Sequence, residues 1–164
     1  MATDFEFRKQ VLDMHMSGVI KYCYQCNRCT DNCPVAEVTD NAYNPRQNIL
    51  NALLGFKDAI FSAEKIAIWG CTICDTCDEV CPQNIELTEI FKLLKNHSVA
   101  NGDAPDFYYL QAKTIFENAK AIPSQPAIER RREQLGLPAV AAPDVNELST
   151  LLKNMGIDKK LKGE

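Results

Sequence analysis

The eight cysteines of this chain form two copies of one motif, Cys-x-x-Cys-x-x-Cys-x-x-x-Cys-Pro, and this repeat restricts the fold more than any other feature. The first copy consists of Cys23, Cys26, Cys29, Cys33 and Pro34. The second copy consists of Cys71, Cys74, Cys77, Cys81 and Pro82. Because the two copies use every cysteine, none is left for a disulfide or as a catalytic nucleophile.

This spacing favours two cubane [4Fe–4S] clusters. Closely spaced cysteines turn successive sulfurs around one loop, and the Cys-Pro cysteine of each motif ligates the other cluster in two-cluster ferredoxins. The first cluster is predicted on Cys23, Cys26, Cys29 and Cys81. The second cluster is predicted on Cys71, Cys74, Cys77 and Cys33. Such crossed ligation also predicts that cluster assembly and folding are coupled.

Structural zinc is the main alternative use of clustered cysteines. Zinc sites usually combine two Cys-x-x-Cys pairs that are separated by about a dozen residues or more, whereas here a third cysteine follows each pair after two residues. A zinc protein would be colourless and would contain no acid-labile sulfide. A disulfide framework is disfavoured because the cysteine content lies below the roughly 8–10% of disulfide-stapled secreted domains.

Composition and charge exclude several other classes of protein. The chain is 46% hydrophobic and 24% charged, as in ordinary globular proteins, and no apolar run approaches the roughly 20 residues of a membrane span. The start MATDFEFRKQ lacks the pattern of a secretory signal, so a cytoplasmic protein is expected. A net charge of -4 without a basic stripe argues against nucleic acid as a partner. No flavin, nicotinamide or phosphate-loop fingerprint is present, so no active site is expected in this chain.

The pattern outside the motifs predicts an all-α fold, since β-branched residues rarely alternate with polar ones. The cap sequence Asn44-Pro45 with Gln47 predicts a helix that ends at Gly55. Helices are predicted over about 4–17, 45–54, 63–69, 87–101, 104–119, 130–135 and 145–155. The predicted domains are a helical ferredoxin domain at 1–102, a helical extension packed on it at 103–136, and a linker, short helix and partner-docking tail at 137–164.

Apolar residues near the second motif are predicted to cover the clusters or to pack in the core beneath them. Ile73, Val80 and Ile85 would cover them and tune their potentials. Trp69 is expected to pack in the core beneath this motif.

The whole chain resembles the C subunit of heterodisulfide reductase from methanogenic archaea. The segments that carry the resemblance are KYCYQCNRCTDNCPV, GCTICDTCDEVCPQNIELTEIF, NPRQNIL and RREQLGLP. The resemblance implies an α-helical ferredoxin with all eight cysteines as cluster ligands and no substrate residue of its own. It would pass electrons from a flavin-containing A subunit to a catalytic B subunit, which reduces the mixed disulfide of coenzyme M and coenzyme B. A hydrogenase or a formate dehydrogenase is a candidate further partner.

Two other electron carriers remain compatible with these motifs. One is a protein similar to the C subunit that belongs to a sulfur-oxidising or sulfate-reducing complex. The other is a free-standing ferredoxin, which is disfavoured because the helices after Asp103 exceed what two clusters need.

Overall fold

The computed structural model describes residues 2–14, 17–61, 66–141 and 143–161, and within these ranges the chain is helical without a β-strand. The α-helices are α1 (Phe5–Asp13), α2 (Arg28–Asp31), α3 (Pro34–Val38), α4 (Pro45–Leu54), α5 (Lys57–Ile60), α6 (Thr76–Glu79), α7 (Leu87–Ala100), α8 (Asp106–Asn118), α9 (Pro126–Gln134) and α10 (Val145–Asn154). Short 3₁₀ segments are Ser17–Tyr22, Ala67–Gly70 and Asp158–Lys160. The predicted all-α class is confirmed.

The chain divides into two compact units, Met1–Ala104 and Pro105–Glu164. Both cysteine motifs lie in the first unit. The predicted roles of 103–136 as a packed extension and of 137–164 as a docking segment stay predictions. No helix in the described ranges is both long enough and apolar enough to cross a membrane.

The core of the first unit forms between the long helices, and the motifs lie around it. Helix α7 buries one stripe, made of Leu87, Ile90, Phe91 and Leu94, each at most 3% exposed. Burying each such side chain contributes about 1.5–3 kcal/mol. The short helices inside the two motifs, α2 and α6, contact each other, and they also contact α4 and α7 respectively. These contacts bring the two motifs together although they are distant in sequence.

Helix α4, between the motifs, begins and ends where its cap residues predict. The Asn44 side chain accepts a hydrogen bond from the Gln47 N–H at 2.9 Å, and Pro45 is the first helical residue. Gly55 ends the helix in the left-handed conformation, with φ 77°. The local cap residues therefore mark both ends of α4.

Helix α1 packs against the end of α4. Asp4 caps α1 by accepting a hydrogen bond from the Phe7 N–H at 2.9 Å, and its own N–H donates to the Gly55 carbonyl at 2.8 Å. The Arg8 Nε donates to the Leu53 carbonyl at 2.8 Å. A Cβ on Gly55 would lie 2.6 Å from the Asp4 carbonyl oxygen, so only glycine permits this approach.

We expect Gly55→Ala to destabilise the protein much more than Gly102→Ala. Both glycines have φ 77°, but no atom lies within 4 Å of the position of a Cβ at Gly102. The left-handed conformation costs a non-glycine residue about 1–2 kcal/mol, and only Gly55→Ala must also displace the Asp4 carbonyl, so we expect about 3 kcal/mol in total there. Thermal unfolding of the anaerobic protein, followed by circular dichroism, measures both variants. Equal losses would show that α1 does not depend on this close contact.

Two predicted helices in the first unit differ from the structure. Helix α1 ends at Asp13 rather than near Ser17, and Gly18 lies within a 3₁₀ segment instead of ending a helix. Residues 62–65, which include the start of the predicted 63–69 helix, lie outside the described residues. The rest of that stretch is 3₁₀ over Ala67–Gly70.

In the second unit, α8 and α10 pack against each other. The predicted cap of the last helix is confirmed, because the Asp144 side chain accepts hydrogen bonds from the Asn146 and Glu147 N–H groups. Helix α8 begins at Asp106, later than predicted, because Pro105 before it has an extended ψ of 141°. Helix α9 begins at Pro126, earlier than predicted, because proline is well suited to the first helical position.

Candidate iron–sulfur site

Two cavities in the first unit are each lined by four cysteines, three from one motif and one from the other. The first is lined by Cys23, Cys26, Cys29 and Cys81. The second is lined by Cys71, Cys74, Cys77 and Cys33. Their volumes, about 340 and 280 Å³ with the part open to solvent included, are similar. This grouping coincides with the two ligand sets proposed from the spacing, although the ligation itself stays a prediction.

The backbone follows the same unusual path in both motifs. Gln25 and Asn27 have positive φ values of 58° and 72°, and the corresponding Ile73 and Asp75 have values of 55° and 60°. Alternation of right- and left-handed residues makes successive N–H groups converge into a concave, anion-binding surface of a kind found at iron–sulfur sites. Asn and Asp tolerate this conformation, but a β-branched isoleucine there is a strained outlier that costs about 1–3 kcal/mol.

Hydrogen-bonding groups reach cysteine sulfurs in both cavities. Two are backbone N–H groups and two are side chains. The pairs are Gln25 Nε2 with Cys23 Sγ at 3.3 Å, Ile85 N with Cys81 Sγ at 3.4 Å, Ile73 N with Cys71 Sγ at 3.4 Å, and Thr76 Oγ1 with Cys74 Sγ at 3.4 Å. Donors of this kind stabilise negative charge on thiolate sulfur.

Cationic side chains lie near each cavity in different ways. Arg28 and Arg46 line the first cavity, and Arg46 is fixed by its hydrogen bond from Nε to the Asn27 side-chain oxygen at 2.9 Å. Near the second, the Lys95 ammonium donates to the Cys71 carbonyl at 2.6 Å. These charges offset part of the negative charge that a thiolate-bound cluster introduces.

Burial controls the charge of the thiols. It raises the pKa of the Cys29 thiol to about 11, and it raises the pKa of the Cys77 thiol well above its usual range. A hydrogen bond with Thr76 lowers the pKa of the exposed Cys74. Since thiolates are the form of cysteine that binds metal, iron bound by Cys29 and Cys77 would have to displace their protons at neutral pH.

Each cavity has one cysteine at the protein surface. Cys26 and Cys74, the middle cysteine of each closely spaced run, are exposed, whereas Cys71 and Cys77 are buried. In the first cavity the buried lining residues include Ile49 and Ile85 instead. Each cavity therefore combines a buried side with an edge that another molecule can approach.

The residues around both cavities fit a cubane cluster. In the described ranges, no three His, Cys, Asp or Glu side chains converge as closely as a single metal ion requires. Four cysteines instead surround each wider cavity, with N–H donors directed at sulfur. This donor set suits a polynuclear, negatively charged centre.

The apolar surroundings match the sequence-based expectation only in part. Ile85 lines the first cavity and is 2% exposed, while Ile73 and Val80 are only half-buried and are absent from the lining residues of both cavities. Trp69 packs against the core, and its Nε1 donates to the Ser98 hydroxyl at 3.3 Å.

Sequence reasoning missed Tyr43 and Arg46, which line the second and the first cavity respectively. Both belong to the segment between the motifs, immediately beside the Asn44 cap. The sequence did contain one signal for them. Both lie at the start of α4, and α4 begins shortly after the first Cys-Pro pair, so residues there could be expected near a cluster.

Known proteins are similar in sequence to this chain over most of its length. The 4Fe-4S dicluster domain family matches residues 19–85, which contain both motifs. An iron-sulfur C subunit (C 2) of CoB–CoM heterodisulfide reductase from Methanocaldococcus jannaschii is 36% identical over 160 residues, covering 94% of this chain and 83% of that protein. The C2 subunit of the H(2)/formate:CoB-CoM heterodisulfide,ferredoxin reductase of Methanococcus maripaludis is 35% identical over 147 residues, covering 85% and 77%.

The helical fold, the two four-cysteine cavities and the domain match define an α-helical ferredoxin that carries two [4Fe–4S] clusters. The sequence similarity to C subunits of heterodisulfide reductase extends over most of the chain and identifies one family within this class. The chain belongs to the family of heterodisulfide reductase C subunits.

Proposed function

We propose that this chain relays electrons through its two clusters, from a flavin-containing A subunit to a catalytic B subunit that reduces the CoB–CoM heterodisulfide. The main support is the contact between α2 and α6, the short helices of the two motifs, which makes the two cysteine cavities neighbours. When bound there, the clusters supply one-electron chemistry. The protein's residues hold them, exclude water from their buried sides and set their potentials.

The proposal includes crossed ligation. Cys81 would complete the first cluster and Cys33 the second, so each cluster would join residues from both motifs. The lining of the two cavities supports this assignment. All eight cysteines would then serve as ligands, and the chain would have no catalytic site of its own.

The exposed cysteines support a relay rather than a storage role. Cys26 lies at the edge of one cavity and Cys74 at the edge of the other, so each cluster has an edge near solvent. One edge would receive the electron and the other would deliver it. A hydrogenase or a formate dehydrogenase is a candidate upstream donor, since a related protein is named as part of an H(2)/formate-dependent reductase.

Anaerobic co-purification of the tagged chain from its native cells tests this function. We expect a flavin-containing chain and a disulfide-reducing chain to accompany it. When the pre-reduced complex is mixed with the CoB–CoM heterodisulfide, the EPR signals of both reduced clusters should decay within the turnover time. Mixing with the two free thiols, coenzyme M and coenzyme B, is the matched control and should leave the signals unchanged.

Other results would contradict the proposal. A stable monomer with both clusters, unaffected by the heterodisulfide, would instead be a free-standing ferredoxin. A complex that oxidises or reduces inorganic sulfur compounds but not the heterodisulfide would indicate the sulfur-metabolising alternative.

A further inference from the structure

Tyr43 is the only tyrosine among the residues that line the second cavity, and its side chain is 1% exposed. The same cavity contains Cys33 from the first motif and Cys71 from the second. Tyr43 therefore lies where the two motifs meet, although it belongs to neither.

The hydroxyl group of Tyr43 is buried and has no hydrogen-bond partner in the described part of the chain. Buried hydroxyls in folded proteins nearly always have such a partner. The sulfur of Cys71 lines the same cavity and is near enough to interact with the Tyr43 hydroxyl, and a thiolate bound to iron accepts hydrogen bonds. Burial, followed by the nearby charge of Cys71, raises the pKa of Tyr43 far above its usual range.

Contacts on two sides restrict the position of Tyr43, one at its backbone and one at its ring. The Tyr43 N–H donates to the Thr39 hydroxyl oxygen at 3.2 Å, and that hydroxyl donates to the Val35 carbonyl at 2.6 Å. On the other side, a Cβ on Gly70 would lie 2.7 Å from Cδ2 of Tyr43. Gly70 directly precedes Cys71, so the absence of a side chain there lets the ring approach the second motif closely.

We propose that the Tyr43 hydroxyl donates a hydrogen bond to the Cys71 thiolate of the second cluster and thereby raises the reduction potential of that cluster. Donation to a thiolate withdraws electron density and stabilises the reduced, more negative cluster. This rests on the ligand assignment made under the proposed function. The first cavity contains no tyrosine among its lining residues, so the first cluster serves as an internal reference.

The test is Tyr43→Phe, which removes one oxygen atom and keeps the ring. At a fixed applied potential, we expect the reduced-to-oxidised ratio of the second cluster to fall about three- to tenfold, which is a midpoint about 30–60 mV lower at 59 mV per tenfold change. An EPR-monitored redox titration measures both clusters of the same sample. The first cluster should keep its midpoint.

A second readout detects the proton itself. In electron–nuclear double resonance spectra of the reduced second cluster, exchange into D₂O should remove a proton coupling that is also missing from Tyr43→Phe. Tyr109→Phe is the matched control, because Tyr109 is buried but lies in the second unit and lines neither cavity. Its clusters should retain both the coupling and the midpoints.

Several results would overturn the proposal. These are an unchanged midpoint with the exchangeable coupling retained, or a shift confined to the first cluster. If Tyr43→Phe fails to assemble its clusters, Gly70→Ala displaces the ring instead and should lower the same midpoint; no shift there counts against the proposal. None of these outcomes depends on the partner proteins, so the relay function is tested separately.

Discussion

Replacing Cys33 with serine should eliminate the cluster of the second motif, although Cys33 belongs to the first. Cys33 lines the cavity of Cys71, Cys74 and Cys77, and a serine hydroxyl is a poor substitute for the thiolate that iron requires. Iron and acid-labile sulfide should fall by about half, because two cubanes contain about eight irons and one contains about four. The EPR signal of the first cluster should persist.

Two exposed cysteines provide the reference spectra for this experiment. Cys74→Ser removes a proposed ligand of the second cluster and Cys26→Ser a proposed ligand of the first, both at the surface where the fold tolerates change. The spectrum of Cys33→Ser should match that of Cys74→Ser, and the spectrum of Cys81→Ser should match that of Cys26→Ser. The reverse pairing would establish that each motif ligates its own cluster and would refute the crossing.

Removal of both clusters should unfold much of the first unit. Cys71 and Cys77 belong to the same buried core cluster as Ile49 and Ile85, so these two proposed cluster ligands are part of the hydrophobic core. Without the clusters, α2 and α6 are four-residue helices, far too short to be stable alone. We expect the free energy of unfolding to fall by on the order of 5 kcal/mol or more, since metal binding and folding are coupled.

Hydrogen exchange measured by mass spectrometry can locate this loss. After anaerobic chelation, the amides of α2 and α6 should lose protection first. Reconstitution with iron and sulfide is the control and should restore it. Retained protection in the metal-free protein would show that the hydrophobic core alone holds the motifs in place.

Parts of the fold that depend on local chemistry could be predicted from sequence. Asn44 with Gln47, and Asp144 with Glu147, correctly predicted two helix starts, because a side chain that caps an N–H acts within one turn. The cysteine repeat correctly predicted the two-cluster class, and the cysteines that line each cavity are those it assigns to one cluster.

Features that depend on distant contacts could not be predicted. The sequence around Ile73 does not predict its positive φ, because isoleucine disfavours that conformation. Gln25, at the same position of the first motif, also has a positive φ, so the shape of the cavity requires this conformation. The burial of Tyr43 depends on Gly70, which belongs to a later part of the chain. Helix α1 ends at Asp13, earlier than predicted. Its apolar pattern is weak beyond that point and no cap residue follows, so neither signal marked the boundary in the sequence.

The exposure of Cys26 and Cys74 determines how this protein would be damaged by air. With the proposed ligands, the iron atoms bound by these two thiolates would lie nearest to solvent and dissolved oxygen, while Cys71 and Cys77 would shield the opposite side of the second cluster. Oxidative loss of iron would therefore begin at the same two edges through which we propose that electrons pass. In the assembled enzyme, a partner that covers these edges would protect the metal as well as exchange charge with it.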